Sequence, residues 1–577
     1  MSPLALPLAA LLAVAGYFPG EAGPVDVTIL SSRVNQLAFE QREINYREGV
    51  QLWSAAAREA GLTYRVAGDY ELENDPKPSA VWVVHHAEKL TEAQVQNLEK
   101  LKAQGTSMIL VGLTGVEAPD GGKRTSLPER WLDLKEARPF AAVEGAYFTF
   151  IAGSILAVPV VPGKRMGYAA VGTHYIASTP KAMAVSVLWA YLPDPSPGPL
   201  WTNALVAAGT SGPSRVAWFG MSPEAVLFLP PQRAPITSAL AATLRWAARR
   251  PVATACFWPG CARSASVVTA DVEGQFENGE AIAAACRQVQ ARGSWFLLGM
   301  DAEKFPEVTR ALAENGEVGS HSQRHTAFKD VPYAEQLADL EESKAAIVSA
   351  GVTAVSGFRP PMEEYDENTM RAVLAADLSY VFGDIDYETA YPMLQEVQGR
   401  TLVRFARTVP DDYHYATEKQ VSGPQLYAAE YLRDFARIDE LGGLYPFAFH
   451  TTYLGLPENV GAIPLVVEGI RKAGSLLTTF GELADWVVLR EQVLLSMREE
   501  PGTVHLVIAN TSGREVKAFP IQYFAPDDAG MPVLVNPPQG VSLRRAPVQG
   551  FAVLVDLAVG EEKEIVFQTR ASLSGPP

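Results

Sequence analysis

Apolar positions along the chain fall into two rhythms that alternate. Val25-Asp26-Val27-Thr28-Ile29-Leu30, Ala80-Val81-Trp82-Val83-Val84 and Ser107-Met108-Ile109-Leu110-Val111-Gly112 are short apolar runs rich in β-branched residues, as buried strands require. Between them lie helical stretches. Residues 46–60 read as a helix stopped by Gly61, and Thr91-Glu92-Ala93-Gln94 has capping-box form and opens a helix running to Gly105. Arg215-Val216-Ala217-Trp218-Phe219-Gly220 is a further strand and residues 236–249 a closing helix. Strand–helix alternation of this kind predicts a mostly parallel, doubly wound α/β domain over residues 24–250.

A second unit begins near residue 251. Arg249-Arg250-Pro251 ends the preceding helix, and Trp258-Pro259-Gly260 is a turn. Helices are predicted over 279–292, 304–315, 333–350, 366–376, 425–441 and 458–473. Strands are predicted over 294–298, 317–320, 355–358, 378–382, 401–405 and 446–449. A run of that length over 251–490 suits a distorted, incomplete (β/α) barrel. Beyond residue 491 helix signals vanish. The runs 504–510, 551–555 and 563–567 read as strands between closely spaced turns, predicting a small β-sandwich over 491–577 that braces the barrel or binds glycan.

With 577 residues the chain is long enough for two to four domains. Its composition, 48% hydrophobic and 20% charged, is that of a globular protein. The net charge of −17 excludes nucleic acid and anionic membrane as main partners, because phosphate binding needs clustered Lys and Arg. Residues 4–14 are apolar and uncharged, and small residues follow as far as Gly23. The run is too short to span a bilayer and reads as a secretory signal over 1–23, although no Lys or Arg precedes it. No later stretch reads as transmembrane. Three cysteines are too few for a disulfide scaffold or a thiolate zinc site. Cys256 and Cys261 are close enough in sequence to pair in an exported protein, and Cys286 falls in a helical pattern as a buried thiol.

Candidate chemistry gathers at three strand ends. Gly319-Ser320-His321-Ser322-Gln323-Arg324-His325 sets two histidines at i and i+4 just after a short strand, where a helical turn would place both on one face. Upstream, Asp271 and Glu273 follow the apolar Val267-Val268. In extended chain, residues i and i+2 share a side. Two imidazoles and one carboxylate form an N/N/O set that suits zinc or a neighbouring transition ion better than magnesium or calcium. The other carboxylate is then free to act as a base, and spacing alone leaves open which is which. His85 and His86, directly after a strand, read as structural.

These residues resemble the polysaccharide deacetylase (NodB homology) family. Thr269-Ala270-Asp271-Val272-Glu273-Gly274 corresponds to its first motif, with Asp-Val-Glu in place of the usual adjacent Asp-Asp. His321 to His325 matches the His-Ser/Thr-x-x-His motif, Arg359-Pro360-Pro361 the Arg motif, and Phe447-Ala448-Phe449-His450 the final strand-end histidine. An acidic-aromatic motif is matched loosely at Asp384-Ile385-Asp386-Tyr387. The resemblance covers about residues 262–490 and implies a distorted barrel with its site at the strand ends. It further implies metal-dependent removal of N-acetyl groups from a cell-wall or exported glycan by a periplasmic or extracellular enzyme. The carboxylate-x-carboxylate form is similar to the branch that includes peptidoglycan deacetylases and ureide-type amidohydrolases. By that resemblance Glu273, His321 and His325 hold the metal, expected to be Zn2+. Asp271 is then the base, Arg359 its orienting partner and His450 the general acid; the reverse assignment of the two carboxylates stays open. Two alternatives remain: a degenerate barrel that binds glycan without hydrolysis, and a hydrolase of small non-sugar amides. The 24–250 region resembles class I glutamine-amidotransferase-like domains. Its analogous turn, Gly112-Leu113-Thr114-Gly115, carries no cysteine, which implies a non-catalytic domain.

Overall fold

The computed structural model describes residues 25–40, 45–140, 147–151, 154, 166–167, 174–187, 201–228, 230–383, 390–526, 530–547 and 550–568. The expected signal segment over 1–23 and the run Asp384–Tyr387 lie outside the described residues. The protein is mixed α/β, with four sheets among the described residues.

The first sheet has eleven strands. Five are parallel, in the order Tyr64–Ala67, Val27–Leu30, Val81–Val84, Ser107–Val111 and Ser214–Phe219. Alternation along each strand sorts its residues onto two cores. Val81, Val83, Ile109 and Phe219 pack with Trp53 and Leu240 of the helices Tyr46–Glu59 and Pro230–Ala247. Trp82, Val84, Met108 and Trp218 pack on the other face with Leu98 of the helix Glu92–Ala103. That helix begins with the capping box read from Thr91 and Gln94. The remaining strands, from Lys135–Phe140 to Trp201–Ser211, pair antiparallel, so the mostly parallel expectation describes only part of this sheet. The reason is local. Trp201–Ser211 and Ser214–Phe219 are joined by Gly212-Pro213 alone, with Gly212 at φ +61°, which leaves no room for a crossover helix.

The sheet that carries the candidate chemistry has nine strands. Its order is Met393–Val397, Arg400–Phe405, Tyr380–Phe382, Val355–Phe358, Gly316–Ser320, Gly293–Leu297, Ala265–Val272 and Leu444–His450, with Leu476–Thr478 also on Ala265–Val272. All neighbours are parallel except the Met393–Val397/Arg400–Phe405 hairpin. Val268, Ala270, Val272, Trp295, Leu297, Phe447 and Phe449 turn toward the surrounding helices. Val267, Phe296, Tyr380, Phe382, Phe405 and Ala448 turn to the opposite face, where Phe480 also packs. This inner face is tight. A Cβ at Gly319 would lie 2.6 Å from the Phe296 ring, and one at Gly357 would lie 2.2 Å from Cζ of Tyr380. By the same alternation, residues 271, 321, 359 and 450 fall on the inner side at the C-terminal ends of their strands.

Two four-stranded sheets complete the described chain. Val493–Glu500, Thr503–Asn510, Glu562–Gln568 and Val533–Val535 form one. Val252–Ala255, Val516–Phe524, Phe551–Leu557 and Val541–Arg545 form the other. They share a core, with Tyr523 stacked on Phe567 at 4.1 Å between ring centroids. Val252–Ala255 therefore belongs with the C-terminal sheets and not with the nine-stranded sheet that its sequence position suggested. Just after it, Cys256 and Cys261 form a disulfide, and Cys286 is a buried free thiol.

Candidate active site

Asp271 is the penultimate residue of a fully buried strand and lies opposite His450 in the parallel ladder. Glu273 follows, on the same side. Its backbone is held by Thr451, whose hydroxyl accepts from the Glu273 N–H at 3.1 Å and donates to the Glu273 carbonyl. His321 extends the ladder beyond Gly316–Ser320, its N–H donating to the carbonyl of Leu297 at 2.8 Å. Its Nδ1 donates to the carbonyl of Arg359 at 2.7 Å, which leaves Nε2 with a free lone pair facing the site.

His325 does not sit on a helical turn with His321. Residues 321–325 form a loop, in which Ser322 and His325 take φ of +74° and +56°. The loop is braced by hydroxyls: Ser322 Oγ accepts from the His325 N–H at 2.9 Å, and Ser320 Oγ accepts from the Ser322 N–H at 3.1 Å. The i, i+4 spacing thus brings both rings together by a different backbone path, with centroids 5.1 Å apart.

Glu273 Oε2 lies 3.2 Å from Nε2 of His321 and 2.8 Å from Nε2 of His325. The oxygen is buried, yet no aligned hydrogen bond reaches it. The three ligand atoms lie within 4.8 Å of one another with no aligned hydrogen bond to the carboxylate oxygen, a grouping that suits donors around a cation. His321 is buried, while His325 keeps 34% and Glu273 20% of its side-chain surface exposed, so this set opens to solvent on one side. Burial pushes the Glu273 carboxyl up, but the two imidazoles outweigh it and hold the carboxyl well below its ordinary range. The residues present therefore fit a zinc-like ion.

Asp271 is placed apart from the imidazole pair, against cations. Arg359 Nε lies 2.5 and 2.6 Å from its two oxygens. The guanidinium is buried, over the Phe382 ring at 4.5 Å, and its Nη2 meets Glu363 Oε1 at 3.0 Å. Burial works against the Arg359 charge, but Asp271 and Glu363 raise its pKa. Glu363 also pairs with Arg407 at 2.6 and 2.8 Å. Burial pushes the Glu363 carboxyl up, and the two guanidinium groups bring it down to about 2.

His450 completes the group. Its Nε2 is 3.5 Å from Asp271 Oδ2. Its Nδ1 donates to Asp412 Oδ1 at 2.6 Å, and Asp412 Oδ2 accepts from the N–H groups of His450 and Leu454 at 2.8 and 2.9 Å. Asp412 is fully buried, and burial pushes its carboxyl up. At His450 burial lowers the pKa, but Asp412 and then Asp271 outweigh it and push the ring up to about 10.

The structure thus brings all six expected residues to one set of strand ends. Reading from sequence missed Asp412, Glu363, Arg407 and Thr451. The carboxylate that meets His450 belongs to Asp411-Asp412-Tyr413, an acidic-aromatic run like Asp384–Tyr387, which lies outside the described residues. Glu363 had no local signal.

Residues 269–381 match the family model described as polysaccharide deacetylase. This stretch of the chain belongs to the polysaccharide deacetylase family. The matched deacetylase segment contains Asp271, Glu273, His321, His325 and Arg359, and His450 lies beyond it. Chitin deacetylase 1 of Saccharomyces cerevisiae is 27% identical over 114 residues, a match that spans 19% of this chain and 38% of the yeast protein. Among solved structures, the carbohydrate deacetylase Agd3 aligns over 94% of this chain and 99% of its own, at 11% identity and TM-score 0.42. A family 4 carbohydrate esterase from Streptomyces lividans, in complex with acetate, aligns over 38% of this chain and 92% of its own, at 18% identity and TM-score 0.28. Among the described residues no helix is long and apolar enough to cross a membrane.

Proposed function

We propose that the protein is a metal-dependent deacetylase that removes N-acetyl groups from an exported or cell-wall glycan. In this reading the nine-stranded sheet is a distorted, incomplete (β/α) barrel spanning about residues 262–490. The preceding α/β region is an accessory domain without amidotransferase chemistry, and the two C-terminal sheets form a bracing β-sandwich. One observation carries the function. Glu273, His321 and His325 bring three ligand atoms within 4.8 Å of one another, and a separate proton-handling pair, Asp271 and His450, stands beside them at the same strand ends.

Glu273, His321 and His325 would hold a divalent ion, zinc by donor type. Such an ion, when bound, supplies Lewis acidity toward the acetyl carbonyl and eases deprotonation of a water. Asp271 accepts the proton of the attacking water, oriented by its contact with Arg359. His450, protonated through neutral pH because Asp412 holds its charge, donates to the leaving amine nitrogen. Tyr413 and Tyr453 lie edge to face 5.7 Å apart next to His450, and Tyr413 is 53% exposed. They offer apolar faces to a pyranose ring at the side where the amine must leave. The Cys256–Cys261 disulfide supports an oxidising, exported location.

Acetate release from acetylated glucosamine oligomers and from peptidoglycan tests the reading. Zinc-reloaded protein is expected to release acetate. His321→Ala is expected to lose both metal and turnover, and Asp271→Asn to keep the metal and lose turnover. Protein that binds zinc yet releases no acetate from either glycan would overturn the glycan assignment, and loss of zinc in Asp271→Asn would reverse the roles of the two carboxylates.

A further inference from the structure

A second set of two imidazoles and one carboxylate lies in the N-terminal α/β region, outside the deacetylase site. His85 and His86 follow the strand Val81–Val84 directly. Glu224 lies in the short 3-10 helix Pro223–Phe228 that follows the strand Ser214–Phe219. Both histidines are fully buried and Glu224 is 3% exposed. One ligand atom from each of the three lies within 4.8 Å of the others. Glu224 Oε1 is 3.0 Å from His86 Nε2 and 3.9 Å from His85 Nε2. Tetrahedral zinc bonds of about 2.0–2.1 Å require donor–donor edges of about 3.3 Å, a value these two distances bracket.

Hydrogen bonding among the three does not account for their burial. No aligned hydrogen bond reaches either ring nitrogen of His85, His86 Nδ1 or Glu224 Oε2, although the Tyr46 backbone lies near the His85 ring. Buried polar atoms are ordinarily paired. His86 Nε2 is contacted at 3.0 Å by two oxygens at once, Glu224 Oε1 and Ser222 Oγ. A carboxylate needs a proton on that nitrogen, whereas a donating hydroxyl needs its lone pair. The arrangement is also no Ser-His-Glu relay, because a relay uses the two ring nitrogens separately. Here both oxygens meet the same nitrogen.

The surroundings close over the set. A Cβ at Gly49, in the helix Tyr46–Glu59, would fall 2.2 Å from His85 Nε2 and 3.0 Å from Glu224 Oε2. Gly112, at φ +71°, would place its Cβ 3.3 Å from His86 Nδ1. Phe39 packs on the His86 ring at 4.6 Å and Tyr46 on the His85 ring at 5.0 Å. The deacetylase set, by contrast, has an open side at His325.

We propose that His85, His86 and Glu224 bind a second divalent transition ion of the zinc class, with Ser222 Oγ beside them as a fourth donor. A site closed on all sides leaves no position for a substrate, so its role is structural. It clamps the end of Val81–Val84 to the turn after Ser214–Phe219 beneath the helix Tyr46–Glu59, across the intervening strand Ser107–Val111.

The test uses the full chain without a histidine tag, purified from zinc-supplemented culture, desalted, and assayed for metal by plasma mass spectrometry. Wild type is expected to hold two zinc ions per chain. The double variant His321→Ala/His325→Ala, which leaves the buried set intact, is expected to hold one. Adding His85→Gln and Glu224→Gln should bring the count to zero with an unchanged far-ultraviolet circular dichroism spectrum. Zinc absent from His321→Ala/His325→Ala overturns the proposal, as does zinc that survives when His85→Gln and Glu224→Gln are added to that variant. Should the last variant fail to fold, X-ray absorption of zinc-loaded His321→Ala/His325→Ala decides. Scattering from two imidazole rings supports the site, and its absence refutes it.

Discussion

Asp412→Asn isolates the group that sets the charge of His450. The substitution keeps size and leaves an oxygen to accept the N–H groups of His450 and Leu454, but removes the carboxylate that receives His450 Nδ1–H at 2.6 Å. Burial lowers the His450 pKa, and Asp412 is the largest opposing influence that brings it up to about 10. Without that charge the ring should titrate near or below its ordinary value of about 6.5. At pH 8 the protonated fraction then falls from nearly all to about 3%, a loss of at least about thirtyfold in kcat/KM if His450 is the general acid. The measurement is acetate release against pH from 6 to 9.5. The ratio of wild type to variant should grow with pH as the alkaline limb moves down from about 10. A ratio that is constant across this range would mean that Asp412 acts only through packing, and the proton-donor reasoning would fail. Stability has a matching sign. A histidine with a raised folded-state pKa adds stability fully present below about pH 6.5 and lost as pH rises through about 10. The ceiling is about 5 kcal/mol, reduced by the burial that raises the Asp412 carboxyl. The variant's destabilisation, read from urea midpoints, should therefore shrink above neutral pH.

Further outcomes can be checked separately. Removing metal with a chelator should abolish acetate release and zinc should restore it, since the exposed edge at His325 gives an ion access. Glu363→Gln strips the counter-charge from two buried guanidinium groups and should cost about 3–5 kcal/mol in urea unfolding at pH 7. Because the Glu363 pKa is lowered to about 2, its contribution is present above about pH 4.5 and is lost as pH falls toward 2, so wild type and variant should converge in acid. Gly357→Ala drives a methyl against Tyr380, which is fully buried and hydrogen-bonded to Glu317 at 2.9 Å; about 1–3 kcal/mol of lost stability is expected, and an unchanged urea midpoint would contradict the tight inner face.

The candidate site was legible largely because it uses uncommon residue types at places set by strand periodicity. Only eight histidines occur in the chain, and three of them mark the ends of the strands Gly316–Ser320 and Leu444–His450. The supporting residues were not legible, because they arrive from distant chain segments. Asp412 reaches His450 across 38 residues, and Thr451 reaches Glu273 across 178. Glu224 meets His86 across 138 residues, so a pair of histidines read as structural from their position after a strand gave no sign of a third donor. The antiparallel strands between Lys135 and Ser211 were missed for a different reason. For Trp201–Ser211 the pairing with Ser214–Phe219 is decided by a two-residue turn, and Lys135–Phe140 pairs with the sequence-distant His174–Thr179, neither of which an apolar rhythm distinguishes from parallel pairing.

The Asp-Val-Glu spacing itself carries a physical consequence. Adjacent residues of an extended strand point to opposite faces, whereas residues two apart share one. Asp271 and Glu273 both reach the inner side, separated by one step of the chain, which is enough to give them different neighbours. Asp271 stays inside the last turn of the ladder, where Arg359 and His450 meet it. Glu273 lies beyond the strand end, where Thr451 holds its backbone and the loop histidines reach its carboxylate. A carboxylate tied to Arg359 is poorly placed to serve as a third donor beside the imidazoles, and one committed to a cation cannot also take a proton. Two carboxylates on one face with separate partners resolve that conflict, so Asp271→Asn and Glu273→Gln should fail in different ways, the first in turnover with metal retained and the second in metal binding itself.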